Sequence, residues 1–505
     1  MSYLGAPPAA PNEAPPGPDQ SSDIPLWVVA VAAFVALALA GALAFVLLKP
    51  DHSAPAAAPP PPTPSYPSHW DHRIAPYAKI AARERGLDFL HPVPVRFLSP
   101  AKFAKTLVTD DKDLSKDDRA ELRHATAQLR ALGLITGDVN LLDATNDAQS
   151  GAVDAYYSFK DQRITVRGHR VTPAVKETLV HELTHVLQDQ HFHVGARTRK
   201  LHKEAKDGVQ NSAGSVFDAI VEGDATRVQH LYAASLGPKQ RRALAASERR
   251  EIAGANRRTS TVPQVVMAMM SAPYTLGEGL VQTVAESGGN DAVDQLFRHP
   301  PTHESALLDP FRVLSGSTKA TQVAVPKLED GEKKFESGEL GVLTWYVTLA
   351  QRLPLSQALT AADGWGGDAY VAYQHDGTTC LRAAYTGRTP ADTARMYSAL
   401  QGWQAAGASS SATVSRDGDL VRFQSCDPGD AADVGNDDSQ DAITLAAVRA
   451  GLGIGAMRSG VPQGVAHCMA GKISQTYTVA QLTDATFAQD PSVQAQLRQL
   501  ALSCR

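Results

Sequence analysis

The stretch Lys176–Gly195 reads KETLVHELTHVLQDQHFHVG and contains His181, Glu182 and His185 in the pattern HExxH. On a helix, residues four apart lie one above the other, so two neutral imidazoles at this spacing can bind one Zn²⁺. The Glu between them can serve a zinc-bound water as general base and return the proton to a leaving amine. Two histidines and a water leave one position for another protein ligand. The near candidate is His191. If the helix continues through Phe192, six residues turn His191 about 120° away from His185. Gln188 stands where a sharp exit from the helix would call for Gly, and Gly195 is the expected stop. The far candidate is Glu222, in FDAIVEGDATRVQH (Phe217–His230), where Phe217, Ile220, Val221 and Val228 share a helical face. Gly223 costs about 1 kcal/mol inside a helix relative to Ala, and close approach of the HExxH helix would account for it. Against this, Glu222 and Asp224 could be ordinary surface acids. His193 and His202 are expected to face solvent or to back the ligands.

These side chains need a helix and a support. Thr172-Pro173 supplies a cap and a first-turn proline for the HExxH helix. On its wheel Val175, Leu179, Leu183, Val186 and Leu187 form the core-facing stripe, with His181 and His185 on the opposite side. Before it, Pro94–Ser99 reads as a strand, Ser115–Leu134 as an amphipathic helix capped by Ser115, and Val153–Gly168 as two short strands around Lys160–Gln162. After it, helices are expected at Ala213–Leu236, Lys239–Asn256, Leu276–Glu286 and Leu340–Gln351. Beyond Ala362–Tyr373 short alternating runs flank a helix at Pro390–Ala405.

The 505 residues suffice for two or three domains, and a net charge of −5 gives no electrostatic case for nucleic acid. Ile24–Leu48 is 25 residues without a charge, long enough to cross a bilayer. It is too long for a signal-peptide core and no basic residue precedes it, so a single-pass anchor is expected. Lys49, against the acidic tail before the span, would weakly place the large part in the cytoplasm. The four cysteines argue for an oxidising compartment, since none has metal-ligand spacing. Chain neighbours give the expected pairs Cys380–Cys426 and Cys468–Cys504. The expected plan is an α+β chain: disordered tail 1–23, transmembrane helix 24–48, Pro-rich linker 49–69, a mainly helical catalytic domain with a small β-sheet over 70–361, and a small disulfide-bonded α+β domain over 362–505.

HExxH on one helix and a Glu on a later one resemble the gluzincins, the thermolysin-like zinc metallopeptidases. HELTHVLQDQHF with VEGDAT is similar to a group of bacterial membrane-anchored or secreted proteins of this type, and GWGGD further on fits the same group. The resemblance covers Val153–Asp376. It implies a zincin-like fold, His181, His185 and Glu222 as zinc ligands, and Glu182 as catalytic acid/base. Where thermolysin carries an Asp four residues after its ligand Glu, this chain has Thr226; Asp224 or Asp218 would have to orient a ligand His instead. Gluzincins also supply a Tyr or His to the oxyanion, for which Tyr274 and His230 are the candidates. RITVRG resembles the zincin edge strand that pairs with peptide substrates, and PPTHESALLDP (Pro300–Pro310) looks like a loop near the cleft. The expectation is a cell-membrane zinc metallopeptidase with its catalytic part outside the cytoplasm and a peptide or protein as substrate. A zincin-fold surface protein without catalysis is the alternative, and a zinc hydrolase acting on a non-peptide bond is a third reading. Oligomeric state is not legible.

Overall fold

The structure, a computed structural model, describes residues 66–206, 211–407 and 412–504. The expected tail and anchor, and most of the expected linker, lie outside the described residues. No helix among the described residues is long and apolar enough to cross a membrane.

The chain is α+β, mostly helical, with two small sheets. In order it forms α1 (Ala75–Arg85), β1 (Val95–Leu98), α2 (Lys116–Ala131), α3 (Leu141–Ala152), β2 (Ala155–Ser158), β3 (Arg163–Arg167), α4 (Pro173–Phe192), α5 (Val194–Lys206), α6 (Ala213–Ser235), α7 (Pro238–Thr259) and α8 (Gln264–Arg298). Then follow β4 (Lys333–Gly338), α9 (Val342–Ala350), β5 (Trp365–His375), β6 (Thr378–Gly387), α10 (Pro390–Ala406), β7 (Thr413–Asp417), β8 (Leu420–Cys426), α11 (Ser439–Arg458), α12 (Gln463–Thr476) and α13 (Pro491–Leu502), besides the nine-residue helix Leu355–Asp363 and shorter turns of helix.

Local chemistry sets the ends of these elements. Ser115 and Asp118 form a reciprocal cap at the start of α2. The Thr172 hydroxyl accepts the Val175 N–H at the start of α4, with Pro173 in the first turn. α4 ends at Phe192 because His193 adopts a left-handed conformation, φ 54°. The expected stop at Gly195 is therefore corrected: Gly195 lies inside α5, and a Cβ there would press on Phe159. The helix expected at Leu276–Glu286 is the middle of the much longer α8, which bends at Gly288 and Gly289.

The first sheet has the order β1-β3-β2, with β1 parallel and β2 antiparallel to β3. RITVRG thus forms the central strand rather than the edge strand, because Val95–Leu98, nearly seventy residues earlier, pairs with its other side. The edge facing α4 is β2. The second sheet is antiparallel throughout, order β4-β5-β6-β8-β7. The two disulfides are Cys380–Cys426, across β6 and β8, and Cys468–Cys504, tying α12 to the chain end. One hydrophobic cluster runs from Leu132 to Val479 and takes in α6, α8, α9 and the larger sheet.

PPTHESALLDP and GWGGD are clasps of this architecture. The Asp368 carboxylate accepts from the Leu340 N–H at 2.6 Å and from the indoles of Trp345 and Trp365 at 3.1 and 2.6 Å, fixing the entry to α9. Glu304 accepts the Leu343 N–H, His303 pairs with Glu339, and Asp309 pairs with His467 on α12. Pro300–Pro310, expected as a loop, contains a helical turn at Ser305–Leu308, and its polar side chains engage α9, the turn before it and α12.

Candidate metal centre

α4 is packed on nearly every side. His181 is fully buried, His185 is 5% exposed and Glu182 1%. The expectation that the histidines sit opposite a single core-facing stripe is overturned: α6 covers their face, and both faces of α4 are interior. Polar side chains survive there because each has a partner.

α6 brings Glu222 to the histidine pair. His181 Nε2 and His185 Nε2 lie 3.0 Å apart, and Glu222 Oε2 is 3.3 Å from the first and 3.4 Å from the second. These are the only three His, Cys, Asp or Glu side chains among the described residues grouped so that they could hold a metal ion. Donor atoms at tetrahedral angles and about 2.0–2.1 Å from one zinc ion lie about 3.3 Å apart. The three separations match that edge length.

The donors also present the correct atoms. His181 Nδ1 is 3.1 Å from Gln229 Oε1, and His185 Nδ1 is 2.9 Å from Gln188 Oε1. An amide oxygen only accepts, so each Nδ1 carries a hydrogen and each Nε2 is the nitrogen turned to the centre. Burial opposes ionisation of Glu222, but the two histidines more than reverse this and hold its carboxyl at about 2. Glu222 in turn pushes His185 up to about 9 against its burial, so a metal ion bound here would displace that proton and meet two neutral nitrogens and one carboxylate, a composition suited to Zn²⁺.

Glu182 sits between the ligands and the edge strand. Its Oε2 accepts the Tyr157 N–H of β2 at 2.6 Å, and its Oε1 is buried without a protein partner. Burial pushes this carboxyl up to about 8, against the pull of His185. Tyr157 is in turn anchored by its hydroxyl to Asp189 on α4, at 3.0 Å.

The other expected residues separate. Tyr274 on α8 is 1% exposed, stacks on His181 with ring centroids 6.2 Å apart, and feels the charge of Glu222. Burial and the charges of Glu222 and Glu182 push its phenol well above the usual value, so it remains a donor. His230 lies two helical turns beyond Glu222, about 12 Å along α6, with its Nδ1 on Glu278 at 2.6 Å. His191 turns away and its Nε2 lies 2.7 Å from the Asp88 carbonyl. His202 pairs with Asp218 at 2.8 Å.

Gly223 allows a close helix approach, but the partner differs from the expected one. A Cβ on Gly223 would overlap the Gly277 carbonyl of α8, and one on Gly277 would overlap the Ala219 carbonyl. The glycine contact joins α6 to α8 and so places Tyr274 beside Glu222. Sequence reasoning missed Gln188 and Gln229 as partners of the ligands. The signal for Gln188 was its position three residues after His185, which puts the two on one helical face.

Comparison with protein-family models, with curated proteins and with solved structures finds no match to this chain.

Proposed function

We propose that the protein is a zinc-dependent metallopeptidase with a zincin-like catalytic region, held to the membrane by the segment 24–48. The observation that carries this reading is the convergence of His181 Nε2, His185 Nε2 and Glu222 Oε2 at tetrahedral spacing, with the unpartnered Oε1 of Glu182 buried beside them. A structural zinc site needs no such carboxylate.

His181, His185 and Glu222 hold the ion. Zn²⁺ in such a site supplies Lewis acidity, which polarises a carbonyl and lowers the pKa of a bound water. Glu182, whose carboxyl burial pushes up to about 8 and a bound cation would lower, takes the proton from the attacking water at Oε1 and passes it to the leaving amine. The Tyr157 N–H fixes its other oxygen, so the carboxylate keeps its direction through both transfers. Tyr274 is the donor placed to stabilise the oxyanion. His181, His185 and Glu182 are buried while the Glu222 side chain keeps 20% exposure, so the low-dielectric surroundings strengthen these interactions and one ligand still borders solvent. The two disulfides, which persist in oxidising compartments, support a catalytic part outside the cytoplasm.

The test is the wild type and Glu182→Gln on a broad peptide library, with bound zinc measured for both. Wild-type cleavage and a variant that retains zinc but cleaves nothing are expected. A zinc-loaded wild type that cleaves no peptide would sink the reading and leave the non-catalytic alternative.

A further inference from the structure

Behind the histidine pair lies a buried charge network that touches the metal ligands through one residue. Asp224 on α6 is fully buried, as is Arg85 at the end of α1. Arg85 Nε donates to Asp224 Oδ2 at 2.6 Å, and its NH2 group donates to Asp294 on α8 at 2.8 Å. Arg227 donates to Asp224 Oδ1 at 3.2 Å. Two arginines and two aspartates balance, with the exposed Arg298 also 3.6 Å from Asp294, and pairing is the condition under which buried charges persist. Asp224 Oδ2 accepts one more hydrogen bond, from Gln188 Nε2 at 3.1 Å.

That last contact determines what Gln188 shows to His185. Gln188 is fully buried. Its Nε2 faces two groups that can only accept, Asp224 Oδ2 and the Val221 carbonyl at 2.9 Å. Turning the amide over would set its oxygen against both. Its oxygen is therefore fixed toward His185 Nδ1 at 2.9 Å, and that fixes a hydrogen on Nδ1 and leaves Nε2 as the nitrogen that can bind a metal. The Val221 carbonyl belongs to the residue before Glu222, so one amide sets both the tautomer of one ligand and the distance between the helices carrying the others.

We propose that Gln188 is a positioning residue of the metal centre, and that Asp224, held by Arg85 and Arg227, acts on the metal only through it. The proposal rests on the metal-centre part of the reading above and not on peptide hydrolysis. It gives EGDA a division of labour: Glu222 binds the ion and Asp224, through Gln188, fixes the orientation of a ligand on another helix. It also answers the substitution of Thr226 for an orienting Asp, since the orienting group here is a neutral amide locked by a buried carboxylate. Hydrogen-bonding partners of metal ligands are worth about 10–100-fold in metal affinity.

The experiment is a chelator competition for Zn²⁺ and the visible absorption spectrum of the Co²⁺ form, on the full chain. Gln188→Met keeps length and leaves the four charges paired; Asp224→Asn keeps an acceptor oxygen. Each is expected to lose about 10–100-fold in zinc affinity with an altered Co²⁺ spectrum. The double variant is expected to lose no more than Gln188→Met alone, because both act through one contact. Leu187→Ala, a neighbouring core truncation, is expected to lower the melting temperature while leaving the Co²⁺ spectrum unchanged. Wild-type affinity and spectrum in Gln188→Met would overturn the proposal, and so would losses that multiply in the double variant or a Leu187→Ala spectrum that shifts as Gln188→Met does. Gln188→Met decides the matter even if Asp224→Asn fails to fold. A wild type that binds no metal overturns the centre itself, whereas a zinc-binding wild type without peptidase activity leaves this proposal standing.

Discussion

Gly223 on α6 and Gly277 on α8 meet backbone to backbone, with no room for a Cβ on either. The contact lies one residue after Glu222 and three after Tyr274, so the geometry of two functional side chains depends on the absence of two methyl groups.

Gly223→Ala and Gly277→Ala are therefore expected to push the helices apart. Alanine favours the helix by about 1 kcal/mol, but the overlap is with backbone, which cannot rotate away. Overpacking of this kind costs about 1–3 kcal/mol or more, so both variants should be less stable despite better helix propensity. Urea denaturation reads the loss, and zinc affinity should fall with it. A stabilised Gly277→Ala variant would show that the contact is looser than described.

Tyr274→Phe removes only the phenolic hydroxyl and keeps the ring on His181. Loss of a donor to a developing oxyanion costs about 10²–10³ in kcat. Zinc content should be unchanged and KM little altered, because the donor acts on the transition state. A fall confined to KM would give Tyr274 a role in ground-state binding only.

The carboxyl of Glu304 provides a pH test on a group outside the metal-binding trio. Burial, with the charges of Glu339 and Asp368, pushes it up to about 8, although the Leu343 N–H pulls the other way. A carboxyl raised in the folded state holds a proton that the unfolded chain has released. Its contribution is fully present below the unfolded value and is lost as pH rises through the folded one, with a limiting slope of about 1.4 kcal/mol per unit. The stability of Glu304→Gln relative to wild type should therefore rise between pH 5 and 8. Denaturation curves at saturating zinc measure it, and a difference that stays flat would contradict the shift.

Legibility in the sequence followed the range of the interaction. Thr172 and Pro173 announced the start of α4 because capping is local, and the cysteine pairs were chain neighbours. Glu222 could be reached from helical phase and the family resemblance together. The order of the first sheet could not, since periodicity identifies strands but not their partners, and β3 pairs with a segment far upstream. The wheel of α4 misled for a related reason. Polar residues usually mark an exposed face, yet Gln188 and Asp189 are buried and satisfied by Asp224 and Tyr157. Arg85 carried no local signal at all, because its partner Asp224 is 139 residues away.

The question set by the histidine-rich helix can be closed by comparing His191 with Glu222. His191 Nε2 is committed to the Asp88 carbonyl, outside the ligand group, and its loss exposes no buried charge. Glu222→Ala deletes one of three donors and leaves two buried imidazoles facing each other 3.0 Å apart. His191→Ala should keep one zinc per chain, and Glu222→Ala should lose it on dialysis. The same contrast should appear in stability. A ligand that binds only the folded state adds RT ln(1 + [L]/Kd), about 2.7 kcal/mol at a hundredfold excess over Kd. Added zinc should therefore raise the melting temperature of wild type and His191→Ala alike, and chelation should lower both. Glu222→Ala should respond to neither. Stoichiometric zinc in dialysed Glu222→Ala, with a melting temperature that still follows the metal, would move the third ligand elsewhere on the chain.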